Sequence, residues 1–213
     1  TATAAKPLVF GCYGAARWEK GSDIFQEAIK LILKNEVASE DKQVLPATRN
    51  QLPVTVAGRP LRFAIQWVED FRDGEGNWVS IDPWLREHPQ VEVIGRYFQG
   101  DEYEQQLEQT DVMVLPYRSP YRLRVSRVVI EGMLQDMPVI ATEGTTLHQQ
   151  AEEYGVVVGC EDGSAESLAQ AILEVAEGFA AMRETARQKA RLAAESFSVG
   201  RFRELLGRIP KNF

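Results

Sequence analysis

The chain is poor in the residues that build metal centres and disulfide frameworks: its 213 residues include two cysteines and two histidines. Two histidines do not make a usual zinc site. Cys12 falls in a predicted strand and Cys160 directly at the end of one, so a buried, reduced pair is expected rather than a disulfide or a metal ligand set. Positive charge is also in deficit. With 24 Lys and Arg against 31 Asp and Glu, the net charge of −7 repels nucleic acid as a whole and leaves anion binding to local clusters. No basic stripe suggests DNA or RNA. The longest apolar runs fall short of the ~20 residues a membrane-spanning helix needs, and no signal peptide pattern is visible. The start, Thr1-Ala2-Thr3-Ala4-Ala5 without a methionine, reads as a piece of something longer.

What is present points to one globular α/β domain over residues 1–213. A hydrophobic content of 44% is ample for a packed core at this length, and predicted strands alternate with helices as in a Rossmann-like, doubly wound parallel sheet. The expected strands are Val9–Tyr13, Leu61–Val68, Val91–Tyr97, Val112–Tyr117, Val139–Thr142 and Val156–Gly159. Ser22–Lys34 sets Ile24, Phe25, Ala28, Ile29, Ile32 and Leu33 on one helical face. Asp101–Thr110 and Ser164–Ala194 also read as helices, the second broken near Gly178, and Gly200–Arg208 as the last. Residues 35–60 hold Pro46, Pro53, Gly58 and Pro60 with little periodicity, which predicts a long loop or small insertion.

The segment Asp111–Thr146 carries the most chemistry. Val112–Tyr117 and Pro138–Thr142 are apolar runs separated by a stretch of helical spacing, and together they predict a βαβ unit. In such units a ligand sits where the strands' carboxyl ends meet a helix N-terminus, because backbone N–H groups and the helix dipole there favour a phosphate. Glu131 is expected about two turns into that helix, where a carboxylate can accept two hydrogen bonds from a ribose. The pattern suits a sugar-nucleotide pocket.

These residues resemble the donor-binding, C-terminal half of a two-domain (GT-B) retaining glycosyltransferase of the group 1, family 4-like kind. That family carries two glutamates with seven residues between them, then a G-x-P-V-I-A-T strand. Glu131-Gly132-Met133 and Asp136-Met137-Pro138-Val139-Ile140-Ala141-Thr142 match the second glutamate and the strand. The first glutamate is absent: eight positions before Glu131 stands Leu123. The loop reads Tyr117-x-x-x-Tyr121-x-x-Arg124-x-Ser126 instead, similar to a subgroup in which Tyr, Arg and Ser fill it. A second match, Gly14-x-x-Arg17-x-x-Lys20-Gly21 after the first strand, resembles the family's G-x-x-R-x-x-K-G segment, where Arg and Lys neutralise the donor diphosphate. The leaving group gains negative charge as the glycosidic bond breaks, and fixed cations stabilise it. Arg17 and Lys20, three apart on a starting helix, could face the same way.

The resemblance implies a metal-independent hexosyltransferase-like enzyme with no cofactor beyond its nucleotide-diphosphate sugar substrate, and an acceptor such as a polysaccharide, glycolipid or glycoprotein. The acceptor-binding domain, and a histidine near the reacting carbon, would come from another part of the full-length protein, so no catalytic residue is assigned. A cytoplasmic protein is expected, with room for peripheral membrane association of the full-length form. Diphosphate contacts fall to Arg17, Lys20, Arg124, Val125 and Ser126, the ribose to Glu131, and the sugar or base to the vicinity of Gly14, Tyr97, Phe98 and Tyr121. Blander readings stand beside these. Ser126 could serve only as a helix cap, Tyr97 and Phe98 as core aromatics, Glu131 as a solvated carboxylate, and His148 as a surface residue. Arg118, Arg122, Arg124 and Arg127 form an unusual basic cluster for an acidic chain. Two other functions compete: a non-catalytic nucleotide-sugar-binding or scaffold domain, motivated by Leu123, and a different doubly wound module. A signalling receiver needs aspartates at strand ends, and a nicotinamide-binding domain needs a tight G-x-G-x-x-G after a strand; neither is present.

Overall fold

The computed structural model describes residues 5–34 and 53–207. The elements in order are β1 (Leu8–Cys12), α1 (Ser22–Lys34), β2 (Thr55–Val56), β3 (Arg59–Gln66), β4 (Phe71–Arg72), β5 (Trp78–Val79), α2 (Pro83–Glu87) and β6 (Val91–Ile94). Then follow α3 (Glu102–Glu108), β7 (Val112–Leu115), α4 (Arg127–Leu134), β8 (Val139–Thr142), α5 (Thr146–Tyr154), β9 (Val157–Cys160), α6 (Ala165–Ser196) and α7 (Val199–Gly207).

Strands β6-β3-β1-β7-β8-β9 lie side by side, all parallel. Winding starts at β1, runs outward through β3 to β6, then returns to the other side of β1 with β7. The order therefore reverses between β1 and β7, where Phe10 faces Val112, and a doubly wound sheet opens its ligand crevice at such a reversal.

Side chains of successive strand residues point to opposite faces, and both faces here are apolar. Val112 and Val114 of β7 join Phe10, Phe63 and Ile140 in a core covered by α1 and the first half of α6. Met113 and Leu115 join Val139 and Ala141 in a second core under α3, α4 and α5, which contribute Leu107, Val129, Met133, Leu147 and Ala151. The expected stripe of α1 is buried throughout, and each of its large side chains contributes roughly 1.5–3 kcal/mol by leaving water.

A buried carboxylate fixes the lower edge of the sheet. Asp111, just before β7, accepts from the Val9 amide at 3.1 Å and from Arg183 of α6 at 2.9 Å, with Arg59 at 3.8 Å. Arg59 and Arg183 both lie over the Phe179 ring.

Several expectations need correction. The long helix is not broken near Gly178: α6 is continuous over 32 residues. A helical glycine costs about 1 kcal/mol relative to Ala, and burial of the flanking Val175, Ala176 and Phe179 offsets it. Of the predicted loop over 35–60, residues 35–52 lie outside the described residues, whereas Thr55–Val56 pair antiparallel with Arg59–Pro60 in a tight hairpin. Expected strand ends at Val68, Tyr97 and Tyr117 lie beyond the observed strands, because Trp67, Gly95 and Pro116 begin the loops that build the upper surface. The β4–β5 hairpin, α2 and α5 were not anticipated. Among the described residues, no helix is long and apolar enough to cross a membrane.

Candidate functional site

At the β1/β7 reversal, the segment after β1 is shaped by two glycines. Gly14 has φ +104° and Gly21 φ +66°, conformations that L side chains adopt only at a cost. The Gly14 amide donates to Gln66 Oε1 at 2.7 Å, and Gln66 Nε2 donates to the Arg96 carbonyl at 2.8 Å. Gln66 thus clamps the loop after β1 to the loop after β6. A Cβ on Gly21 would stand 2.0 Å from the Pro116 carbonyl oxygen, so only glycine lets this segment approach the end of β7.

Between the glycines, Arg17 is not on a starting helix. It is extended (φ −156°, ψ 151°) and precedes a 3-10 turn over Trp18–Lys20, with α1 beginning at Ser22. The turn still brings the pair near one another: the Lys20 amide donates to the Arg17 carbonyl at 3.2 Å, and the charge of Arg17 acts on Lys20. The Lys20 ammonium lies over Gly14, 2.5 Å from where a Cβ there would stand, and 5.9 Å from the centre of the Tyr117 ring. Burial, and then the Arg17 charge, hold its pKa below the usual lysine value. No carboxylate among the described residues pairs with it. Beneath it, burial pushes the Cys12 thiol up to about 12, with the Lys20 charge acting in the opposite direction. Cys12 and Cys160 are both buried and free, as expected.

The other half of the site is the loop from β7 to α4. Ser126 occupies the N-cap of α4, yet its side chain makes no capping bond. Its hydroxyl bonds instead to Tyr117, whose own pKa is pushed up to about 12, chiefly by burial. The first-turn N–H groups of α4 consequently have no side-chain cap, and such groups favour an anion. Tyr117 joins the two halves, with Lys20 above its ring and Ser126 on its hydroxyl.

The basic cluster resolves into different roles. Arg118 is taken up by Asp23 of α1, two guanidinium nitrogens each donating at 2.7 Å, and also lies over Trp18. Arg127 pairs with Glu131 at 2.8 Å. Arg124 is exposed, 5.3 Å above the Tyr121 ring, which meets Tyr117 edge-on; neither Arg122 nor Arg124 has a carboxylate partner among the described residues. Leu123 is 77% exposed and Val125 66%.

Glu131 is about one turn into α4, not two, since the helix starts at Arg127. It is no free surface carboxylate. Oε1 takes the Arg127 bond and Oε2 accepts from the Tyr103 hydroxyl of α3 at 2.8 Å. The Tyr103 ring packs against Phe98 and, edge-on, against Tyr13. Burial and then the Glu131 carboxylate raise the Tyr103 pKa. Tyr97 and Phe98 therefore divide: Phe98 belongs to this aromatic group, while Tyr97 is 57% exposed. His148 lies half-buried near the start of α5, its amide donating to Thr145. Gln66, Tyr103 and Asp23 were not found from sequence. Asp23, Gln66 and Tyr103 belong to no spaced motif.

Several solved structures share this fold. HepE from Anabaena, solved with UDP-glucose, superposes with a TM-score of 0.61 at 17% identity, covering 94% of this chain and 48% of its own. Sucrose-phosphate synthase from Thermosynechococcus elongatus gives 0.62 at 17%, covering 94% and 44%. The C-terminal domain of a glycosyl transferase group 1 family protein, LpcC, from Francisella tularensis gives 0.56 at 16%, covering 90% and 87%. The chain spans about half the length of the first two and most of the third. No curated protein sequence matches significantly. The architecture is that of one Rossmann-like half of the GT-B fold. The family model for glycosyl transferases group 1 matches residues 7–178, most of the chain, and the chain belongs to that family.

Proposed function

We propose that this chain is the donor-binding domain of a retaining, metal-independent glycosyltransferase, holding a nucleoside-diphosphate sugar for transfer to an acceptor bound by another domain of the full-length protein. The observation that carries this reading is the half-buried Lys20 ammonium, without a carboxylate partner among the described residues, beside the uncapped N-terminus of α4 at the β1/β7 reversal. A buried charge without a counterion is costly, and an anionic ligand supplies one. In this reading the diphosphate lies between Lys20 with Arg17 and the start of α4, near Arg124, Val125 and Ser126. Glu131 holds the ribose, and Phe98 with Tyr97 borders the base. Gly14 and Tyr121 border the sugar.

The protein's part in the reaction is electrostatic. As the glycosidic bond breaks, charge grows on the leaving nucleoside diphosphate, and cations and helix N–H groups fixed beforehand stabilise that charge without rearranging. The cytoplasm is the compartment in which such a donor is expected, and no cofactor is required. The test is calorimetric titration with a nucleoside diphosphate and its parent nucleoside: Glu131→Ala should weaken diphosphate binding at least ~10-fold. Unchanged affinity removes Glu131 from the site.

A second reading, a domain that binds the sugar nucleotide without catalysing transfer, is favoured by Leu123. The family's first glutamate stands at this position, and here an apolar, solvent-exposed side chain replaces it. Donor hydrolysis by the full-length protein separates the two readings.

A further inference from the structure

Resting on the donor-site reading, we infer that Tyr103 is a positioning residue that presents Glu131 as a two-point acceptor for a vicinal diol, and so sets a preference for ribonucleotide over 2′-deoxyribonucleotide donors. An ionised carboxylate has about four acceptor positions. In Glu131 one on each oxygen is taken, by Tyr103 and by Arg127, each at 2.8 Å. One remains on each oxygen, which suits two adjacent hydroxyls and leaves nothing over.

The two partners differ in what they can fix. Arg127 is four residues from Glu131 on the same helix and its side chain is 80% exposed, so it moves with α4 and is loosely held. Tyr103 comes from α3, across 28 residues of sequence. Its ring is wedged between Tyr13, at 6.2 Å with an 81° interplanar angle, and Phe98, at 5.6 Å. Tyr13 is in turn anchored through its hydroxyl to Thr110 at 2.6 Å and Gln106 at 3.3 Å. The carboxylate is thereby referenced to the loops after β1 and β6, which border the same crevice, instead of to its own helix alone. Rotation of the carboxyl would break the Tyr103 bond, and the remaining lone pairs would no longer face a ring diol squarely. Loss of one ribose hydroxyl then costs binding only while Glu131 is so held.

The experiment uses the 213-residue chain and Tyr103→Phe, which keeps the ring and removes the hydroxyl, with UDP and 2′-deoxy-UDP as probes in calorimetric titration. The expected result is a loss of about 3- to 10-fold in UDP affinity with 2′-deoxy-UDP, which keeps only one of the two hydroxyls, weakened less, so that the preference shrinks. Arg127→Gln should move it less. If Tyr103→Phe weakens both nucleotides equally or neither, while Glu131→Ala still erases the preference, the positioning role is wrong and the donor site stands. If Glu131→Ala leaves the preference intact, the donor-site reading fails and this inference with it.

Discussion

Lys20→Met separates binding from folding more cleanly than any other single change in this chain. Methionine keeps a long, flexible apolar stem and removes only the ammonium. In the free protein that ammonium is half-buried, its pKa is drawn down by burial and Arg17, and no carboxylate among the described residues offsets the penalty. A basic group whose folded pKa lies below its unfolded value binds fewer protons when folded. Stability therefore rises as pH climbs through the folded pKa toward the ordinary value of 10.5, and at neutral pH the charge opposes folding. Removing it should leave the melting temperature unchanged or raise it. Binding should move the other way. One charge-assisted hydrogen bond to a phosphate contributes about 1.5–3 kcal/mol, so Kd for a nucleoside diphosphate should rise about 10- to 150-fold, while the nucleoside's Kd stays level. The difference should narrow at high salt. In the parent, diphosphate affinity should also fall on the alkaline side at a lower pH than a lysine of ordinary pKa would give. Scanning fluorimetry and titration calorimetry on one preparation decide the matter. A lower melting temperature with unaltered diphosphate affinity would refute the reasoning, because it would make Lys20 a structural residue.

Other outcomes follow from the same geometry. Arg124→Lys should weaken sugar-nucleotide binding although it keeps the charge, since an ammonium cannot copy a planar fork, whereas Leu123→Ala, exposed as it is, should change little; the reverse pattern in titration would mean the loop reads its donor by apolar contact. Arg118→Ala should lower stability by about 1.5–3 kcal/mol, because it orphans Asp23 and the Trp18 carbonyl, and a double-mutant cycle with Asp23→Asn in urea should show that the two losses are not additive. The 213-residue chain should bind donor without transferring sugar, since one domain forms half of a cleft whose positioning supplies much of the rate; substantial transfer to an added acceptor by this chain would overturn that.

The sheet was legible because both faces of its strands are buried, so β7 and β8 appear as uninterrupted apolar runs bounded by turn residues. The stripe of α1 was equally plain. Short elements escaped: β4 and β5 have two residues each, too few for a period to show, although Asp73-Gly74-Glu75-Gly76-Asn77 between them is strong turn chemistry. The break expected at Gly178 is absent because packing of the flanking residues outweighs the local propensity of one glycine. In the candidate site, Arg17, Lys20 and Glu131 could be picked out by their resemblance to the family's motifs. Their surroundings could not. Arg127 stands four before Glu131, the spacing of a helical ion pair. Nothing in the spacing of Arg118 sets it apart from Arg124, yet Asp23 engages it across the fold, and the partner of Glu131 on α3 is set by tertiary approach alone.

The length of α6 has a consequence for how the molecule opens. Its first half belongs to the core shared with α1, and Arg183 ties it to Asp111 at the lower edge of the sheet. Its second half then reaches the opposite core through Ala193 and holds α5 through Lys189 on the Glu152 carbonyl. A doubly wound domain whose two layers were independent could shed one layer while keeping the other. Here a single unbroken rod carries side chains of both, and it cannot detach from one without straining its hold on the other. Slow-exchanging amides along Leu168–Phe179 and around Val129 and Met133 should therefore share one opening free energy as a single foldon, and a lesion at Asp111, remote from the ligand crevice, should loosen both layers together.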